Sequence, residues 1–73
     1  MKNIALRFEV SLRTALALLE FTREHDGVLI ASNVIEFQSD GDRDEVPYLV
    51  REYRNLLDSF DFEVIGCRVT LLD

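Results

Sequence analysis

The chain has 73 residues, 14 of them acidic and 8 basic, so its formal net charge is −6 at pH 7. A chain of this length forms one domain at most, and we expect residues 1–73 to be a single domain. The hydrophobic share of 48%, with only three glycines and one proline, excludes a disordered or fibrous protein and is typical of a globular one.

Net charge and segment lengths narrow the class of partner and the location. An acidic surface repels the phosphates of nucleic acids and anionic lipids, so we expect no direct nucleic-acid binding and no membrane binding. The sequence has no apolar run of about 18 residues that would cross a bilayer, and its first residues lack the apolar stretch of a signal peptide. One cysteine cannot form an internal disulfide. These features predict a cytoplasmic protein.

The first two predicted elements are a strand and a helix. Residues 4–10 alternate between apolar and polar side chains, which predicts a half-buried strand. Ser11 is a favourable N-cap for a helix from about Leu12 to His25. Gly27, just past the end of that helix, is suited to the left-handed position that commonly follows the last helical turn.

The apolar arc of this helix is wider than a single stripe that faces a core. Leu16, Leu19 and Thr22 share its centre, whereas Leu18 and Phe21 lie to one side. Two interpretations remain open for this flank. Either a second helix of the same chain covers it, or Leu18 and Phe21 belong to an oligomer or partner interface.

Residues 28–38 also allow two interpretations. They form either one long strand or a hairpin with strands at 28–31 and 34–38, which turns at Ser32–Asn33 because Asn tolerates the left-handed conformation of such turns. An acidic loop over residues 39–45 follows. An amphipathic helix then runs to about Phe60, with Asp44 as a plausible N-cap and Pro47 in its first turn. The last strand is predicted at about 63–72.

The order of elements predicts the α+β class. With the hairpin it is βαββαβ, the ferredoxin-like split arrangement, and with one long middle strand it is βαβαβ. The first and last strands carry Arg7 and Arg68 on the face opposite their apolar side chains. We therefore expect that face to be hydrated and both helices to pack on the other one.

Acidic side chains are concentrated between residues 36 and 45. The spacing from Asp40 to Asp44 resembles the start of a calcium-binding loop, but Glu45 and Arg51 stand where that loop requires Gly and Glu. We interpret the cluster as a contact patch for a basic partner and predict no metal site. The predicted protein-binding residues come from this cluster, from the two helices and from the hydrated face of the sheet. They are Glu36, Asp40, Asp42, Asp44, Glu45, Leu18, Phe21, Tyr48, Arg7 and Arg68.

No residue pattern predicts catalysis. His25 and Cys67 are far apart in the sequence, and the chain contains neither a glycine-rich phosphate loop nor a nucleophile elbow. We predict no catalytic residue and no cofactor. Cys67 alternates with Ile65 and Val69, so we expect its thiol to be buried and inert.

Size and charge favour an interaction role. The leading hypothesis is a non-enzymatic, homodimeric module that binds another protein with a basic surface and regulates or inhibits it. Small inhibitors from phages or mobile elements often have this size and charge. The alternative is a regulatory domain that senses a small molecule at a dimer seam. A small oligomeric enzyme that shares carboxylates between subunits is a third, less favoured hypothesis.

Overall fold

A computed structural model of the protein describes residues 3–11 and 15–72. Within them lie the strands β1 (Ile4–Val10), β2 (Val28–Ala31), β3 (Val34–Ser39) and β4 (Val64–Leu71), and the helices α1 (Ala15–Glu24) and α2 (Val46–Ser59). A short 3-10 turn over Arg43–Glu45 precedes α2. The predicted start of the first helix at Leu12 lies outside the described residues.

The described strands form one antiparallel sheet in the order β2-β3-β1-β4. The protein is therefore α+β, with a four-stranded sheet and two helices in the part of the chain that the structure describes. Residues 28–39 fold as the predicted hairpin, so the alternative of one long middle strand is wrong.

The hairpin turn forms for a different reason from the one expected. Neither Ser32 nor Asn33 has a positive φ. The Asn33 side-chain amide instead donates a 2.9 Å hydrogen bond to the carbonyl oxygen of Val10, and the Val10 N–H donates one of 2.9 Å to the Asn33 carbonyl. These two bonds tie the turn to the end of β1, so contacts between distant parts of the chain fix the hairpin.

Both helices pack on one face of the sheet, as predicted. The ring of Phe37 on β3 stacks on Tyr53 of α2, with centroids 4.4 Å apart, and meets Phe21 of α1 edge-on at 6.2 Å. The side chains of alternate β1 residues complete the core beneath them. The buried core consists of Ile4, Leu6, Phe8, Val10, Leu18, Phe21, Ile35, Phe37, Leu57 and Phe62.

The face of α1 that enters this core is shifted from the centre of its apolar arc towards Leu18 and Phe21. Leu18 has no exposed surface and Phe21 only 3%, whereas Leu19 is 45% exposed. The chain itself thus covers the flank that the sequence pattern left open to a partner: Leu18 has no exposed surface, and Phe21 exposes only a small part of its ring. Thr22 is buried beside them and donates a 2.7 Å hydrogen bond to the carbonyl of Leu18.

The two helices end in the same backbone motif. After α2, the N–H of Phe62 donates to the Leu57 carbonyl at 3.1 Å, and Asp61 between them has φ 65°. After α1, the N–H of Gly27 donates to the Thr22 carbonyl at 3.2 Å. These bonds define Schellman motifs, in which the residue after the helix adopts the left-handed conformation.

The residue in the left-handed position after α1 is Asp26, with φ 56°, and not the predicted Gly27. Gly27 meets a different constraint. A Cβ atom at this position would lie 2.6 Å from Cδ1 of Ile35, a core side chain on β3. Close approach to the sheet, and not backbone conformation, therefore requires glycine here.

We predict that D26G and D61G each raise the free energy of unfolding by about 1 kcal/mol. Glycine adopts a positive φ without the steric cost that other residues meet, and the change also removes a carboxylate from the negative end of a helix. Urea denaturation measures the change. R51G, at an exposed interior position of α2, should lower stability by about 1 kcal/mol. A loss of stability in D26G and D61G would contradict this account of the helix ends.

Candidate functional site

Part of the acidic loop has a structural role, because its residues form hydrogen bonds with each other just before α2. The backbone N–H of Asp42 donates a 2.9 Å hydrogen bond to Oε1 of Glu45, and the N–H of Glu45 donates one of 2.9 Å to the Asp42 carbonyl. Asp42 begins the 3-10 turn, and Glu45, in place of the predicted Asp44, precedes α2, whose first turn holds Pro47 as predicted. Among the described residues, no group of His, Cys, Asp or Glu side chains is arranged to hold a metal ion.

Glu36 is not part of this loop. It lies on the open face of the sheet, which the helices leave uncovered, where Arg7 Nε donates a 2.9 Å hydrogen bond to its Oε1. Gln38 Nε2 donates a second one, of 3.2 Å, to its Oε2. The hydrogen bond from Arg7 holds the pKa of the Glu36 carboxyl below its usual value. Glu36 therefore acts with Arg7 and not with the acidic loop.

We predict that the Arg7–Glu36 pair makes stability depend on pH in the acid range. A carboxyl whose folded pKa is lowered contributes stability above its unfolded value of 4.5, and this contribution is lost as the pH falls through the folded pKa. Because Arg7 is half exposed, we expect E36Q to cost less than about 1 kcal/mol at neutral pH. The free energy of unfolding, measured by denaturation at several acidic pH values, should change less with pH in E36Q than in E20Q, an exposed control. Equal slopes would contradict the assignment.

The open face also carries charges without a partner. Arg68 on β4 lies directly opposite Arg7, and Glu9 lies opposite Gly66. A shallow concavity of about 370 Å³ opens there, lined by Arg7, Glu9, Gly66, Cys67 and Arg68. Within residues 3–11 and 15–72, neither Arg68 nor Glu9 forms an ion pair.

Cys67 does not have the buried environment that its alternation with apolar residues predicted. Its position opposite Phe8 belongs to the core face, but it lies on the edge strand β4 and is exposed. Partial burial nevertheless raises the pKa of its thiol, and the charge of Arg54 partly opposes that effect. The alternation pattern identified the face correctly, but it does not reveal where the helices stop covering the sheet.

A cluster of aromatic rings joins the ends of the two helices. Phe21 lies at its centre, with its ring stacked on His25 at 4.4 Å and edge-on to Phe60 and Phe62 at 5.2 Å each. Phe62 is buried, but Phe60 remains 47% exposed. A buried aromatic core thus reaches the surface at Phe60.

The space beside these rings is a groove, which we call the aromatic groove, of about 210 Å³. Its apolar wall consists of Phe21, Phe60 and Phe62, and Glu20 and Glu24 of α1 form its acidic edge. Ala17 completes the lining. The sequence pattern did not predict this site, because Phe60 ends the predicted second helix and meets Phe21 only in the folded protein. The Phe60-Asp61-Phe62 segment was the available signal, since two aromatic residues closely follow a helix there.

His25 contributes an unpaired polar atom to the aromatic cluster. Its ring lies 5.2 Å from Phe60, and its Nε2 is buried without a hydrogen-bond partner in the described structure. A buried polar group without a partner lowers stability. The imidazole therefore contributes ring contacts with Phe21 and Phe60, and its Nε2 contributes no hydrogen bond within the described structure.

We predict that H25F raises the free energy of unfolding by about 1 kcal/mol, because it keeps the ring contacts and removes the unsatisfied nitrogen. H25A, which also removes the stacking on Phe21, should lower stability. Thermal or urea denaturation of both variants tests the pair. Loss of stability in H25F would mean that the nitrogen has a favourable interaction.

Tyr48 is the predicted binding residue on the second helix. It is exposed on α2, and a hydrogen bond with Glu52 and the charge of that carboxylate raise the pKa of its hydroxyl. It does not line the aromatic groove. The predicted residues therefore fall into separate places: the acidic loop, the open face, the surface of α2 and the core.

Comparisons with protein-family models, with curated proteins and with solved structures found no match to this chain. No helix in the described residues has the length and apolar character needed to cross a membrane.

Proposed function

We propose that this protein is a small acidic interaction module that binds another protein through the aromatic groove and thereby regulates or inhibits it. The observation that carries the proposal is an apolar groove, continuous with the core, with two carboxylates at its edge. A non-enzymatic role, a cytoplasmic location and an origin in a phage or mobile element stay predictions from size, charge and sequence pattern.

The volume of the groove favours a protein side chain over a small molecule. At about 210 Å³ it is smaller than the roughly 300–1,000 Å³ of typical small-molecule pockets. One large apolar side chain that enters beside Phe60 would cover a surface that is now half exposed. Exposed aromatic residues of this kind often dominate the binding energy of an interface.

Charge specifies the rest of the occupant. Glu20 and Glu24 lie at the edge of the groove, and the whole chain carries −6. We therefore propose that the occupant is a basic segment of a partner protein, in which lysine or arginine residues flank the apolar side chain. Asp40 and Asp44 of the acidic loop are exposed and add to the field that steers a basic partner.

We also propose that the fold is ferredoxin-like. The helix α1 connects β1 to β2, and β3 lies between these two strands; α2 connects β3 to β4, and β1 lies between them. The element order βαββαβ and these crossovers support the proposal.

A tryptophan-containing lysine-rich peptide is a suitable probe, since the protein has no tryptophan and the peptide's fluorescence reports binding without interference. We expect F60S to weaken binding by roughly tenfold or more, the effect of an aromatic hot spot. The matched control is Y48S, which removes an exposed aromatic ring from α2 outside the groove and should leave the affinity unchanged.

E20K/E24K tests the charge at the edge of the groove without touching the aromatic core. It should abolish peptide binding, and circular dichroism should show that the variant remains folded. Equal affinities of F60S, Y48S and wild-type protein would contradict the proposal. Loss of binding in D40N/D44N with full binding in F60S would assign docking to the acidic loop instead. That pair of substitutions leaves the Asp42–Glu45 hydrogen bond intact.

The open face gives specific support to a second function. Its concavity of about 370 Å³, with two arginines and Glu9 around Gly66, has the size and the mixed charge to accept a zwitterionic small molecule. The protein would then sense a ligand at a dimer seam. A panel of amino acids and nucleotides in a thermal-shift assay distinguishes the two functions. A stabilising ligand whose effect is lost in R68A would support sensing, and a flat response would count against it.

A further inference from the structure

We propose that the open face of the sheet pairs with the same face of a second copy of this chain. The proposal does not depend on the aromatic groove, which lies on the helical side of the sheet. It concerns four charged residues that the strand register brings together: Arg7, Glu9, Glu36 and Arg68.

The strands of the open face lack the acidic excess of the rest of the molecule. Their two arginines and two glutamates sum to no net charge, whereas the chain as a whole carries −6, and Asp26 adds one carboxylate at the margin of this face, beside Val28. Two copies repel each other at most orientations because they carry like charge. Approach through the open face avoids that repulsion locally, so this face suits self-association.

The charges on the open face are also arranged to complement themselves. Arg7 is already paired with Glu36, at 2.9 Å. Arg68 and Glu9 have no ion pair in the described structure, and they lie diagonally across the β1–β4 ladder, about 7–8 Å apart at their Cα atoms. A two-fold axis in the plane between two such faces, midway between these positions, sets Arg68 against Glu9 of the second copy, and the reverse.

Such pairing relieves an unfavourable arrangement within each chain. Arg7 and Arg68 are directly opposite each other, and like charges in this position destabilise a sheet. A carboxylate from the second copy offsets that repulsion. Gly66 leaves room for a side chain of the second copy. Any other residue at this position would place its own side chain in the concavity beside Glu9. Arg68 of the second copy would enter this concavity.

The size of the face sets the expected strength. Four strands and about six residues in length give roughly 400 Å² a copy, about half of the ~800 Å² a partner in standard interfaces. We therefore expect a weak, reversible dimer that is favoured at high protein concentration. Since the pairing is electrostatic and exposed at its margins, about 0.5 M salt should weaken it.

Charge exchange between two variants tests the proposal by sedimentation equilibrium. Wild-type protein should associate as its concentration rises, and R68E and E9R should each remain monomeric. An equimolar mixture of R68E and E9R should associate again. In the mixed dimer the two substituted side chains, a carboxylate on one copy and a guanidinium on the other, face each other, and the native Glu9 of the R68E copy faces the native Arg68 of the E9R copy.

An ion pair within one chain cannot produce that rescue. The matched controls, R51E and E52R, change the net charge equally at exposed positions of α2 away from this face and should associate as the wild type does.

A wild-type protein that is monomeric at every concentration, an R68E variant that associates normally, or a mixture that stays monomeric would each overturn the proposal. The proposal for the aromatic groove and the proposal for the open face can be disproved independently of each other. R68E should bind the tryptophan peptide as the wild type does, and F60S should dimerise as the wild type does.

Discussion

The coverage of the sheet on one face only is the constraint on which the rest of the structure depends. Both helices meet Phe37, so the face that they cover receives the large core side chains of the strands. The other face must then be stable in water, which it achieves with the Arg7–Glu36 ion pair and the small side chain of Ala5. A face of this kind, four strands wide and with as many arginines as glutamates on its strands, remains available for contact.

The two helices of this protein leave the margin of the sheet at β4 uncovered. Ile65 and Cys67 on β4 are exposed although the strand is rich in apolar residues. A register shift between β1 and β4 leaves Ile65 without an opposite residue, and β4 is an edge strand. The aromatic groove has the same origin, since the core extends past the end of α2 and Phe60 is its outermost ring. Incomplete coverage thus produces both surfaces to which we assign binding.

Sequence periodicity predicted the elements that local patterns control. The alternation over residues 4–10 predicted β1 with the observed bounds, and the hairpin was placed within one residue of its strand ends. Periodicity could not place what depends on packing. Glycine is needed at position 27 because Ile35, from a different part of the chain, packs against it. The left-handed backbone position after α1, which was predicted for Gly27, is occupied by Asp26. Similarly, the groove depends on Phe21 and Phe60, which are distant in sequence and meet only after folding.

The central claim is that a basic segment docks where the aromatic core reaches the surface at Phe60. The most direct measurement is a titration of the isotopically labelled protein with the tryptophan–lysine peptide, followed by amide chemical shifts. The account predicts shifts concentrated in two segments that flank the groove, residues 17–25 and 58–63, with residues 40–45 unchanged. Shifts concentrated in residues 40–45, or spread evenly over the surface, would contradict it.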